Sequence, residues 1–243
     1  YVSHAAAPCP VEVKRRMIAW FGPIIHEYYG ASENLGGTCI DSEEWLRKPG
    51  SVGRSARNPI HVCGEDGTPL PPGAEGLIYF EVPADRAFSY LNDGDRTARA
   101  RHPTQPHWYS VGDIGRMDAE GYLFLTDRRD FMIISGGVNI YPQAVEDALI
   151  VHPRVLDAAV IGVPDADYGE SVKALIQPKD WADADDTPAR EALASELAAW
   201  CRARISPVSC PRIFEFVAEL PRLASGKLAK HELRRLYGGA PAR

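Results

Sequence analysis

Apolar positions recur at helical spacing over residues 11–21, with the basic cluster Lys14-Arg15-Arg16 falling on the other side. The spacing predicts an amphipathic helix whose basic face is solvated. Pro23 should stop it, residues 24–29 read as a short strand, and Gly30 opens a loop. Over residues 50–126 the texture changes. Short β-like runs at 60–63, 76–82 and 122–125 are separated by turn signals such as Glu65-Asp66-Gly67, Pro71-Pro72-Gly73 and Asp118-Ala119-Glu120-Gly121. Short strands with turns between them predict a small sheet or distorted barrel. Residues 85–107 are polar and carry no periodicity that assigns them an element. Beyond Asp130 the pattern is mixed. A strand at 131–134 leads to a Gly-Gly turn, and a helix starts near Pro142 and runs to Leu149. Strands follow at 155–163 and 171–177. A helix then runs from Thr187, as its N-cap, to about Arg204, before a strand at 213–217 and a final helix at 230–236. The change in pattern places a module boundary near Asp130.

A length of 243 residues suits one large or two small domains. With 45% hydrophobic and 25% charged residues the composition is that of a folded globular protein. A net charge of −6 gives no electrostatic reason to expect nucleic acid or an anionic membrane as partner. No apolar run is long enough to span a bilayer, and no integral membrane segment is expected. The five cysteines are odd in number and lack metal or redox spacing, which predicts a reducing, cytoplasmic compartment and no catalytic cysteine. The basic residues between Lys227 and Arg235 are expected on a solvated helix face, Lys227 itself excepted. The chain opens on Tyr1 in mid-pattern, which reads most simply as a fragment.

Four segments carry candidate chemistry. They are Tyr28-Tyr29-Gly30-Ala31-Ser32-Glu33, then Tyr109-Ser110-Val111-Gly112-Asp113, then Asp127-Arg128-Arg129-Asp130 with Ser135-Gly136-Gly137 behind it, and last Ser225-Gly226-Lys227. Taken singly, each reads as a turn or a surface charge. In this order they resemble the superfamily of acyl-CoA synthetases, peptide-synthetase adenylation domains and firefly-type luciferases, the adenylate-forming enzymes. The resemblance implies an α+β fold. Residues 1–129 would be the C-terminal part of the AMP-binding N-terminal domain, with a β-rich, barrel-like subdomain over 50–127. Residues 130–243 would be a small mobile α+β C-terminal domain carrying the catalytic lysine.

The resemblance also assigns roles. The Tyr29 ring would stack on adenine, an aromatic face suiting any purine, with Gly30 turning the chain beside it. Ser32 would donate to the α-phosphate, and Glu33 would help to hold Mg²⁺, a hard cation that favours carboxylate oxygen. Asp113 would accept from both ribose hydroxyls, its two oxygens serving two donors. Arg128 would reach ribose and phosphate with its fixed fork of donors. Asp130 would be the hinge, and Ser135, Gly136 and Gly137 would line the pantetheine tunnel in the swung state. Lys227 would neutralise charge gathering on the α-phosphate in the adenylation step. The small-residue loop at Ala5-Ala6-Ala7 would lie beside adenine, with Ala where glycine is usual, and Leu35-Gly36-Gly37 would form the floor of the acyl pocket.

The implied activity is that of an acyl-CoA synthetase: a carboxylic acid, fatty or related, is joined to AMP from ATP and passed to CoA. The family's Ser/Thr/Gly-rich phosphate loop with its lysine does not occur in the chain, so the chain alone is expected to be inactive. The alternatives are a peptide-synthetase adenylation domain and a non-catalytic nucleotide-binding or interaction module derived from the family. Nothing in the sequence opposes a homo-oligomer.

Overall fold

The computed structural model describes residues 1–184, 186–224 and 226–239, in two units, Tyr1–Asp130 and Phe131–Arg243. In the first unit a four-stranded sheet has the order β1 (Val2–His4), β2 (Ile25–Gly30), β3 (Gly37–Ile40) and β4 (Arg54–Ser55), with β1 parallel to β2 and the rest antiparallel. Helix α1 (Val11–Phe21) forms where its periodicity predicts. It ends on Gly22, whose positive φ of 82° turns the chain while its N–H donates to Ile18 O. The stop is therefore this glycine, one residue ahead of Pro23.

The solvated basic face is corrected at its first member. Lys14 is only 2% exposed, its ammonium paired with Glu27 of β2 and lying 4.8 Å from the centroid of the Trp45 ring. His4 Nδ1 faces the other oxygen of that carboxylate at 3.3 Å. Burial alone would raise Glu27, but hydrogen bonding and charge from His4 and Lys14 outweigh it and hold the carboxyl below its ordinary value. Asp41 caps α2 (Ser42–Arg47) by accepting from Glu44 N at 2.8 Å, and this helix brings Trp45 into the same small core as Ile18, Ile25 and Ile40.

Ala6, between β1 and α1, has φ 73°. An L-residue there carries a steric penalty of about 1–2 kcal/mol that glycine lacks, set against glycine's greater freedom in the unfolded chain. Ala6→Gly is expected to raise stability by about 0.5–1 kcal/mol. Urea denaturation checks this, and an unchanged or lowered midpoint would deny the strain.

The second sheet has the order β5 (Ile60–Cys63), β6 (Glu75–Glu81), β8 (Asp113–Met117), β9 (Leu123–Arg128), with β7 (Trp108–Tyr109) also on β6. It is an open sheet, not a closed barrel. Val52 N donates to Leu123 O and Leu123 N to Gly53 O, each at 2.9 Å, joining the segment ahead of β4 to β9. On its other side Gly53 lies close against β3: a Cβ there would stand 2.0 Å from Cys39 O. The polar stretch at 85–107, assigned no element above, contains α3 (Gly94–Ala100), capped by Asp93, which accepts from Arg96 N at 2.9 Å.

In the second unit β10 (Ile133–Ser135) and β11 (Val138–Ile140) form a hairpin over Gly136-Gly137, and α4 (Pro142–Ile150) follows. The long hairpin of β12 (Val155–Asp165) and β13 (Gly169–Pro178) makes the centre, with sheet order β11-β10-β13-β12 and β14 (Ile213–Phe216) parallel to β13. Alternate residues of β12 and β13 serve two cores. Val160, Val172 and Ala174 pack with Val145 and Leu149 of α4 and with Leu193, Leu197 and Cys201 of α5 (Thr187–Arg202). Ala159, Ile161 and Leu175 pack with Leu233 of α6 (Lys230–Tyr237). Both faces are covered, which explains the unbroken apolar runs in this part of the sequence. The cap of α5 is corrected: Asp186 accepts from Ala189 N at 2.8 Å, and Thr187 is already helical.

The basic face expected near the C-terminus is corrected at Lys230. This residue is 8% exposed and pairs with the buried Glu146 of α4 at 2.9 Å, while Glu146 Oε1 also accepts from Val160 N at 2.7 Å. Helix α6, helix α4 and strand β12 thus meet at one carboxylate.

Candidate active site

Register brings the first group together. Asp113 begins β8 and Arg128 ends β9, and the two are cross-strand partners. The ladder is irregular between Ile114 and Gly115: Ile114 pairs with Asp127 and Gly115 with Leu125, so Thr126 has no partner on β8. A regular ladder continued from Gly115 would set Asp113 opposite Asp127, carboxylate against carboxylate. With the bulge, Arg128 Nε donates to Asp113 Oδ1 at 3.0 Å. Gly112, just ahead of Asp113, has φ 88°, and its N–H donates to Ser110 Oγ at 3.0 Å.

Tyr29 comes from the other sheet, near the end of β2. Its hydroxyl donates to Asp113 Oδ2 at 2.6 Å, so both oxygens of Asp113 are engaged by side chains. Its ring lies 6.1 Å from that of Phe80, centroid to centroid. Burial, reinforced by the charge and hydrogen bond of Asp113, pushes the Tyr29 phenol well above its ordinary value, so it stays a donor at neutral pH. Gly30 faces Gly37 across β2 and β3, and a Cβ on Gly37 would lie 2.5 Å from Tyr29 O. Leu35, expected on a pocket floor, is 1% exposed and belongs to the core with Ile78 and Phe80.

Ser32 and Glu33 follow β2. Glu33 Oε1 accepts from Tyr90 Oη at 2.7 Å and Oε2 from Ser32 Oγ at 3.1 Å. Burial works to raise this carboxyl, but the bonds from Tyr90, the backbone and Ser32, with the charge of Arg96, hold it below its ordinary value and ionised at neutral pH. Arg96 itself stacks on Tyr90, 3.9 Å from the ring centroid. Tyr90 and Arg96 were not among the residues read from sequence. They lie in the stretch without periodicity, and no local pattern ties position 90 to position 33.

The remaining candidates lie at the end of the first unit and in the second. Asp130 is exposed in a short 3₁₀ turn at Arg129–Phe131. Ser135 is buried, and Gly136 and Gly137 have φ 57° and 78° at the tip of the β10–β11 hairpin. Gly136 N donates to Tyr168 O at 2.8 Å. Lys227 is exposed on a narrow turn. Leu223 N donates to Lys227 O at 2.8 Å, Gly226 N donates to Leu223 O at 2.8 Å, and Gly226 has φ 82°. Ser225 of the fourth motif lies outside the described residues. No described helix is long and apolar enough to cross a membrane.

The family described as AMP-binding enzyme matches residues 1–84, and the AMP-binding enzyme C-terminal domain matches residues 144–227. The chain is 35% identical to a sulfoacetate–CoA ligase of Cupriavidus necator over 94% of its own length and 43% of that protein's. It is 36% identical to a feruloyl-CoA synthase of an Amycolatopsis species over 96% of its length and 45% of the relative's. Among solved structures, o-succinylbenzoate CoA synthetase from Bacillus subtilis, in complex with its acyl-adenylate intermediate, superposes with a TM-score of 0.81 at 28% identity, covering 99% of this chain and 46% of that one. The chain therefore spans less than half the length of these relatives. It belongs to the adenylate-forming, AMP-binding enzymes and corresponds to the C-terminal half of one.

Proposed function

We propose that this chain supplies the ribose-binding carboxylate, the hinge and the adenylation lysine of an acid–thiol ligase. Such an enzyme joins a carboxylic acid to AMP with release of pyrophosphate and then passes the acyl group to CoA. The observation that carries the proposal is the convergence of Tyr29 and Arg128 on Asp113. A carboxylate already holding two donors can exchange them for the two hydroxyls of a ribose at little cost in unmet hydrogen bonds. Arg128, half exposed at the rim, is then released toward phosphate, and the Tyr29 ring offers a face to the base. Ser32 would donate to the α-phosphate. Asp130 would be the pivot, with Ser135, Gly136 and Gly137 along the thiol route.

Glu33 fits Mg²⁺ as a single ionised carboxylate. Among the described residues no cluster of three or more potential ligands surrounds it, and Mg²⁺ commonly takes one or two carboxylates beside the phosphates of its substrate. Bound there, the ion would neutralise phosphate charge, while Tyr90 and Ser32 fix the orientation of the carboxylate.

The acid is proposed only as a class. The acids named for the relatives, sulfoacetate and ferulate, do not converge on the fatty acid expected from the sequence. Without a phosphate loop the chain alone is expected to bind AMP yet release no pyrophosphate from MgATP and acids. The test is AMP binding by calorimetry with Asp113→Asn beside it. Loss of charge-assisted bonds should weaken binding about 10- to 100-fold. Equal affinity in both proteins would remove Asp113 from the site and the proposal with it.

A further inference from the structure

Lys227 stands on a turn, and a turn by itself does not hold an ammonium in place. Its two ends are anchored differently. On the near side Arg222 pairs with Asp157 of β12, Arg222 Nη1 donates to Gly226 O at 2.6 Å, and Arg222 bridges to Leu228. On the far side Ala229 N donates to Pro221 O at 2.9 Å, and the chain passes straight into α6. What α6 rests on is therefore what fixes the far side.

Three side chains of that helix reach one residue. The Lys230 ammonium lies 5.3 Å from the Phe131 ring centroid, the His231 ring 5.2 Å from it, and the Arg234 guanidinium 5.8 Å from it. Arg234 Nη2 also donates to Phe131 O at 3.1 Å. Phe131 is the first residue of the second unit and the neighbour of Asp130. An aromatic face is a directional seat for cations, and the buried Lys230–Glu146 pair holds one of these cations from its other side.

We propose that Phe131 is a positioning residue for Lys227. It is the seat that fixes α6, and with it the Lys227 turn, to the chain segment at the pivot, so that turn and pivot move as one body. This rests on the role given to Lys227 above. Without the seat, the local hydrogen bonds of the turn, Gly226 N to Leu223 O and Ala229 N to Pro221 O, would open more often, and the Lys227 ammonium would lose its fixed orientation. A displacement of about 1 Å at a reacting centre can cost about 100-fold in rate.

The experiment has two arms. In the 243-residue chain, hydrogen exchange is followed at the amides of Gly226 and Ala229 for the native protein, Phe131→Ala and Phe131→Leu. Exchange at these two amides is expected to quicken about tenfold in Phe131→Ala, while the β12–β13 ladder stays within about twofold, the pattern of a local opening. Phe131→Leu keeps the apolar bulk, lacks the aromatic face, and should show the same local change if Phe131→Ala fails to fold. In an enzyme carrying this chain together with a phosphate loop, Phe131→Ala should lower kcat for acyl-AMP formation about 10- to 100-fold. Its KM for ATP and its transfer of preformed acyl-AMP to CoA should hold within about twofold, and Phe131→Tyr should restore the rate. Unchanged exchange at Gly226 and Ala229, or equal loss in both half-reactions, would overturn the proposal. If acyl-AMP formation proves indifferent to Lys227→Ala, it is the functional reading that falls, and the exchange arm still decides whether Phe131 seats the turn.

Discussion

Replacing Lys227 by Ala in an enzyme that carries the phosphate loop is expected to slow acyl-AMP formation by about 3–4 kcal/mol, the cost of one well-placed electrostatic donor in the transition state. That is a rate loss of roughly 10²- to 10³-fold. Transfer of preformed acyl-AMP to the thiol should be nearly unaffected, because the lysine is needed only while charge gathers on the α-phosphate. The exposure of Lys227 on a narrow turn suits this division. A buried, paired lysine would have to break its own contacts before it could serve one step and leave the other. Pyrophosphate exchange and thiol transfer, measured separately, check the prediction, and a loss shared equally by both steps would refute it.

The largest effect on stability is expected at Glu146. Removing its side chain as Glu146→Ala leaves the Lys230 ammonium without its partner at a buried site and takes an acceptor from Val160 N. Breaking one side of a buried ion pair costs about 3–5 kcal/mol. Joint replacement as Glu146→Met with Lys230→Met should recover the part of the loss due to the unpaired ammonium, while Val160 N stays without its acceptor. Urea unfolding followed through the amides of β12 and β13 distinguishes the cases. A single variant as stable as the double one would mean that water reaches the site and screens it. Two lysines three residues apart thus have opposite fates, Lys227 exposed and Lys230 locked.

That contrast marks the limit of what the sequence discloses. The spacing over residues 11–21 and after Thr187 gives α1 and α5, because one periodicity governs all their positions. Short β-like runs between turn signals give β5 and β6, and apolar runs give β10, β12, β13 and β14 of the second unit, whereas β11 behind the Gly-Gly turn goes unread. What escapes is decided by partners distant in the chain. Lys14 and Lys230 read as solvated charges, and each is buried because a carboxylate, Glu27 or Glu146, waits on another element. Helix α3 hides in a polar stretch because its buried residues are few, Thr97 and Ala100. Tyr90 reaches Glu33 across a separation that no local pattern spans. The candidate residues Tyr29, Asp113 and Arg128 could be named one by one from their motifs. Their mutual bonding is a property of register and of the meeting of two sheets, neither of which a motif contains.

Thr126, which has no ladder partner on β8, constrains how this hairpin can vary by inheritance. It acts as a phase shifter: one surplus residue turns a repulsive apposition at Asp113 into an attractive one. Most substitutions between Tyr122 and Arg128 would leave that phase alone, whereas pairing of Thr126 itself, or one added residue, would set Asp127 against Asp113. This hairpin can therefore drift in composition more freely than it can lengthen, and the check on its lengthening is electrostatic, where in most strands it is a matter of which side chains reach the core.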